Sequence, residues 1–244
     1  MLNRLANQIM QFTKRQQRPL FIASMSTALI TQNLYERRKK YKEMQLNQSM
    51  IHPVIIYTWT SSYFSSDYGQ SESIGHMALA FDGHYVSFWP KAKNLYEIIP
   101  GLLIGMKGEF VKDLQTDIRI EGKKPNQILV ARGLDTKAMA LHFAAMEQDL
   151  AKNRICFNLF YNYAPKRLFG KPADHTCTSV VNDLLITGGL PAKRIHLTPW
   201  GASPLSQLLF YRLIGVKTAK ECTIPKISED FTAANNTLTS TKIK

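Results

Sequence analysis

Cysteine is scarce in this sequence, with only Cys156, Cys177 and Cys222 among 244 residues. An odd number at wide spacings excludes a disulfide framework and points to a compartment that is reducing, or one where no disulfide is needed. Long hydrophobic runs are also missing. The longest near the start, Leu20 to Ile30, is interrupted by Ser24, Ser26 and Thr27, and it is too short to cross a bilayer. It follows Lys14, Arg15 and Arg18, but no convincing small-residue cleavage site comes after it. The expectation is therefore part of a helix, with no cleavable signal peptide and no transmembrane segment. Acidic side chains are the third shortage: 18 Asp and Glu stand against 31 Lys and Arg, a net charge of +13. Such a field favours phosphates, anionic lipid surfaces or acidic partners, and it carries no information about fold.

The positive charge is concentrated at the start. Residues 1–50 hold nine basic side chains against Glu36 and Glu43, or +7 of the +13, and they contain no glycine and only Pro19 as a breaker. A basic helical extension over 1–52 is expected. Its plain reading is a solvated segment, and its functional alternative is contact with an anionic membrane surface or an acidic partner. No aromatic-studded basic repeat or nucleic-acid motif is present, so no nucleic-acid partner is expected. At the other end, 223–244 is rich in Ser, Thr and Asn, tipped with Lys, and reads as a disordered tail.

Between these ends, 53–222 has the texture of one α+β domain. Val54-Ile55-Ile56-Tyr57-Thr58-Trp59 is a β-branched and aromatic run that reads as a buried strand. A Ser-rich loop follows, from Thr60 to Ser73. Residues 74–90 then form the best hairpin in the chain, with Asp82-Gly83 as its turn. Short strands are expected around Phe110, at Asp117–Ile120 and at Gln127–Ala131. A helix capped by Asp135 runs to about Lys152, and a further helix runs from about Thr176 to Gly188-Gly189.

The hairpin places His76 in a particular setting. With Asp82-Gly83 at the turn, Ala78 opposes Ser87 and His76 opposes Trp89. One face then carries Met77, Leu79, Phe81, Val86 and Phe88, and the other carries His76, Ala78, Ala80, Tyr85, Ser87 and Trp89. Alanines on the second face leave room for another element to lie against the sheet. His76 and Ser87 are diagonal neighbours there, within reach of a polar contact. The plain reading is a covered face with a satisfied core histidine.

Cys177 stands in His175-Thr176-Cys177-Thr178-Ser179, at the start of an amphipathic helix whose buried face is Val180, Val181, Leu184 and Leu185. Unpaired amides and the positive end of the helix dipole favour a thiolate there and can hold an oxyanion. Cys156 and Cys222 lack this setting and read as structural. A thiolate on a helix and an imidazole on the strand it packs against make a Cys-His pair, an arrangement the small residues of the hairpin's second face would accommodate, with Ser87 as the residue available to orient the ring. Tyr57, Trp59 and Trp89 are the aromatic candidates for lining a substrate cleft, against core packing as the plain alternative. His76, His84, His175 and Cys177 could be drawn as a metal set, but His84 points away from His76 and no tight Cys/His spacing occurs, so no metal or cofactor is expected.

The segments Gly75-His76-x-Ala78-Leu79, Tyr85-Val86-Ser87-Phe88-Trp89-Pro90 and Cys177-Thr178-Ser179-Val180-Val181, with a helix ending Leu184-Leu185-x-x-Gly188-Gly189, resemble circularly permuted papain-like thiol hydrolases. These are relatives of the NlpC/P60 group in which histidine precedes cysteine. The likeness spans roughly residues 54–215. It implies an antiparallel sheet packed against the cysteine helix, Cys177 as nucleophile, His76 as base, Ser87 as third residue, and backbone amides as the oxyanion hole. Relatives often carry Asn immediately before the cysteine, where this chain has Thr176. Similar segments occur in bacterial secreted effectors and toxins, which implies a bacterial cytoplasm before secretion and a host cell afterwards. The expected substrate is a protein or a lipid. The alternatives are a membrane-associated acyltransferase or phospholipase of the same fold, and a non-catalytic effector that binds a partner.

Overall fold

The computed structural model describes residues 29–46, 53–60, 75–91, 105–158, 173–192 and 203–221. The expected 1–52 extension is described only as a helix over 29–46 (α1). The Ser-rich loop beyond Thr60, Cys222 and the 223–244 tail lie outside the described residues.

Six strands form one antiparallel sheet. They are β1 (Val54–Trp59), β2 (His76–Phe81), β3 (His84–Pro90), β4 (Gly108–Val111), β5 (Gln127–Ala131) and β8 (Lys217–Thr218), in the order β4-β3-β2-β1-β5-β8. A second sheet pairs β6 (Ile155–Phe157) with β7 (Ala173–His175) in parallel. The helices after α1 are α2 (Leu114–Glu121), α3 (Thr136–Ala151), α4 (Cys177–Thr187) and α5 (Pro204–Leu213). The architecture is α+β, as the sequence pattern predicts. Among the described residues no helix is long and apolar enough to cross a membrane.

The hairpin has the expected register, with Ala78 paired to Ser87 and Phe81 to His84. Asp82 and Gly83 both have positive φ, 46° and 77°. Two left-handed residues in succession make a turn whose twist matches that of the strands. Period-two alternation then divides the sheet into two faces. The side chains of Ile56, Met77, Leu79, Val86 and Phe88 enter the main core, where Met139, Phe143 and Met146 of α3 and Val180, Val181, Leu184 and Leu185 of α4 meet them. On the opposite face, Tyr57, Trp59 and Ala78 are buried, with Leu114 and Ile118 of α2 packed over them.

Two expectations are corrected here. Asp117–Ile120 is not a strand but lies in α2, whose first turn is held by the Asp113 carboxylate accepting from the Thr116 amide at 2.8 Å. Gly122 then ends the helix with φ 68°. The isoleucines and threonine suggest β structure, but the Asp cap, the glycine stop and the Leu114/Ile118 spacing win because they match a helix with one buried face. The second correction concerns the small residues of the hairpin. They accommodate α2, whereas the cysteine helix α4 packs against β2 and β3 from the core side.

Helix α1 contributes to the same core. Within its basic run, Tyr41 is 1% exposed, in contrast to the fully solvated run expected, and its hydroxyl accepts from the Arg132 amide at 3.1 Å. Leu34 and Met44 pack beside it. Gly133, with φ +77°, leaves space for this helix: an added Cβ would stand 2.9 Å from the Met44 carbonyl oxygen. Tyr41→Ala removes a buried aromatic ring and its hydrogen bond, and is expected to cost about 3–5 kcal/mol. Denaturant unfolding of the full chain measures this, and a change within 0.5 kcal/mol, the range of ordinary surface substitutions, would show that α1 does not dock.

Candidate active site

Helix α4 begins at Thr176, whose hydroxyl accepts from the Ser179 amide at 3.1 Å while the Ser179 hydroxyl accepts from the Thr176 amide at 2.8 Å. This reciprocal pair is a capping box. It gives Thr176 a structural role at the position before the cysteine. The next amide, that of Val180, donates to the Thr176 carbonyl. The amides of Cys177 and Thr178 therefore stand at the open end of the helix, with no acceptor within it.

Cys177 and His76 are both buried and lie close enough for the charge of each to act on the other, so the structure brings together the two residues singled out from the sequence. Burial alone would raise the Cys177 thiol. The charge on His76 and its hydrogen bond overcome this, helped by the Met77 backbone amide and the Thr178 hydroxyl, and hold the thiol below its ordinary value. Burial likewise works to lower His76. The charge on Cys177, followed by the hydrogen bond from His76 to Asp117, outweighs it and raises the imidazole to about 9. Both directions favour a thiolate beside an imidazolium over the neutral pair.

The other side of the ring is held by a network. Ser87 Oγ lies 2.7 Å from His76 Nε2 and donates at 3.0 Å to Asp117 Oδ1, while Asp117 Oδ2 lies 3.4 Å from Nε2. Because the serine proton goes to the carboxylate, the serine oxygen is the acceptor for Nε2–H. Nε2 is thereby engaged, which leaves Nδ1 to face the thiol. Tyr85 donates to Oδ2 at 2.6 Å and Trp89 Nε1 to Oδ1 at 2.8 Å. Tyr85, Ser87 and Trp89 alternate along β3, so one strand face presents three donors to one carboxylate. Burial would raise Asp117, but the hydrogen bond and charge of His76, then the bonds from Tyr85 and Ser87, hold it below the usual carboxylate range. The Tyr85 hydroxyl is pushed up by burial and by the neighbouring Asp117 charge, which keeps it a donor.

Asp117 is the functional residue absent from the sequence reading. Its signal was the spacing of α2: Asp113 as cap, Leu114 and Ile118 as the apolar stripe, and Asp117 three residues after Leu114 on the same face. An acid on the buried face of a helix needs a partner. Ser87 occupies its expected place against the imidazole, but as a bridge to this carboxylate.

Two of the three aromatic candidates, Tyr57 and Trp59, are enclosed among the described residues. Trp59 is enclosed, with its ring centroid 5.4 Å from that of His76, and it donates to the Lys123 carbonyl at 2.8 Å. Tyr57 is buried beside Tyr85 under α2. Both side chains support the site from within, because the sheet face they share is covered. Trp89 is half-buried and stacks on His76 with centroids 4.2 Å apart. His84 sits at the turn against Phe81 and Phe143, on the other face. His175 Nδ1 lies 3.9 Å from Asp183 and 3.4 Å from the Ser179 hydroxyl. Among the described residues no group of three or more His, Cys, Asp or Glu side chains could hold a metal ion.

A thiolate at the open end of a helix, paired to an imidazolium that a buried carboxylate holds in place, is an arrangement able to attack an electrophilic carbon and return a proton to the group that leaves. Comparison of the chain with protein-family models, with curated proteins and with solved structures finds no match.

Proposed function

We propose that this protein is a cysteine hydrolase of papain-like type, acting on an amide or ester carbonyl, with Cys177 as nucleophile and His76 as acid and base. The observation that carries the reading is the buried contact between Cys177, at the start of α4, and His76, which Asp117 and Ser87 hold from behind. The likeness of the His76 and Cys177 segments to permuted NlpC/P60-related enzymes supports it, as does the antiparallel sheet packed on the cysteine helix. The same likeness extends the proposal to a secreted bacterial effector.

The reaction follows from the positions of the groups. The Cys177 sulfur bonds to the carbonyl carbon, and the carbonyl oxygen takes up negative charge beside the unspent amides of Cys177 and Thr178. As the C–N or C–O bond breaks, the imidazolium gives its proton to the leaving amine or alcohol, and a thioester remains on Cys177. Neutral His76 then takes a proton from water, whose oxygen attacks the thioester carbon. The C–S bond breaks, releasing the acid and restoring the ion pair. Asp117 stays ionised throughout and keeps Nε2–H turned away from the sulfur.

Iodoacetamide labelling tests this reading directly. Cys177 should be alkylated faster than Cys156, with a pH midpoint below the ~8.5 of a free thiol. Hydrolysis of an activated ester should rise through that same midpoint and decline as the imidazolium is lost near pH 9. Equal labelling of the cysteines at a midpoint of ~8.5 or above would overturn the hydrolase and favour a partner-binding protein of the same fold.

A further inference from the structure

Helix α5 buries Pro204, Gln207, Leu208 and Tyr211 and turns Leu205, Leu209 and Leu213 outward, exposed by 47%, 54% and 57%. Spacing of four residues puts these leucines in one stripe along the helix. Isolated exposed leucines are ordinary, but a stripe on an otherwise well-packed amphipathic helix is a contact surface.

Its surroundings indicate the partner. Directly after α5, Gly215 packs against α1, and a Cβ there would stand 3.8 Å from Arg38 Cγ. By helical geometry the flank of α1 that carries Arg38 also carries Lys39 and Lys42, together with Tyr35 and Leu46, which are 65% and 72% exposed. None of Arg38, Lys39 and Lys42 is in an ion pair among the described residues. Lys217, just past α5, is exposed as well. Cations with no ion pair among the described residues, on a helix that meets the end of one carrying exposed leucines, are the composition of a surface that sits in a lipid interface. The apolar side chains enter the acyl boundary and the cations meet anionic headgroups. Nucleic acid would use the cations but leave the leucine stripe without a role.

We propose that α5 and the adjoining flank of α1 form a docking surface for an anionic membrane. The surface involves neither Cys177 nor His76, so it stands or falls apart from the hydrolase reading.

Co-sedimentation of the full chain with vesicles decides it. Vesicles containing phosphatidylglycerol should bind the protein, pure phosphatidylcholine should bind it far less, and added salt should release it. Each basic residue at an anionic surface contributes about fivefold in affinity, so Lys39→Glu/Lys42→Glu should weaken binding by about 25-fold or more. Leu205→Ser/Leu209→Ser/Leu213→Ser should also release the protein. Circular dichroism reports whether that variant remains folded, and if it does not, the charge variant decides alone. Equal binding to both vesicles, binding to neither, or unchanged binding by the lysine variant overturns the proposal. So does concentration-dependent dimerisation abolished by the leucine variant, which would assign the stripe to a second copy. Salt-sensitive binding to RNA without binding to vesicles would assign the cations to nucleic acid.

Discussion

Cys177→Ser should abolish ester hydrolysis, lowering kcat by roughly four orders of magnitude or more, as loss of a nucleophile does elsewhere. Serine preserves the size and position of the side chain but not the ionisation. The site stabilises sulfur as an anion through the His76 charge, the Met77 amide and the Thr178 hydroxyl, and a hydroxyl remains protonated under the same influence. His76→Ala should cost a similar factor, because it removes both the charge that lowers the thiol and the proton donor for the leaving group. The two losses should not add. A residue pair acting as one unit gives a double variant no worse than the more damaged single one. Esterase assays on the two single variants and the double variant measure this, and strictly multiplicative losses would show that the residues act independently.

The hairpin was readable because its turn is written in two residues. Asp82-Gly83 fixes the register, and with period two the register places His76, Ser87, Tyr85 and Trp89 on one face. The start of α4 was equally legible, since Thr176 and Ser179 bracket it and the apolar spacing of Val180, Val181, Leu184 and Leu185 continues it. Helix α2 was not. It is eight residues long, and Ile118 and Ile120 disguise it as a strand. Its stability comes from its caps and from packing over Trp59 and Ala78, and that partner face is fixed only once the sheet exists. Reading α2 as a strand hides Asp117 and makes Ser87 the apparent end of the chain from cysteine through histidine. The same limit applies to Trp59. Its type suggested a substrate wall, but which side of a sheet is covered depends on elements distant in sequence. Tyr41 likewise lies in a run whose charges suggest solvent, and only the groove around Gly133 and Gly215 makes room for it.

Neutralising Asp117 should be the most damaging change outside Cys177 and His76. Asp117 accepts from Tyr85, Ser87 and Trp89 and stands 3.4 Å from His76 Nε2. A carboxylate has about four lone-pair sites for four such donors, whereas an asparagine has one carbonyl oxygen and turns an NH2 group toward the rest. Asp117→Asn should therefore lower kcat by roughly 10²–10⁴-fold. It should also destabilise the fold by about 3–5 kcal/mol, since a buried partner loses its counter-charge. Ser87→Ala should be milder, with about a tenfold loss or less, because Nε2–H can still turn to Asp117. The pH profile separates a role in positioning from simple damage. Without the carboxylate the imidazolium is less favoured, so the alkaline limb should move down from about 9 while the midpoint of Cys177 alkylation moves up. The carboxylate's own contribution to stability should respond on the acid side. Asp117 has a lowered value in the folded chain, so its contribution is present above the unfolded carboxylate value and is lost as pH falls through the folded one. Acid unfolding of Asp117→Asn should therefore be flatter than that of the parent chain. Unchanged pH midpoints for alkylation and hydrolysis in this variant would remove Asp117 from the site and leave Ser87 as the residue that orients His76.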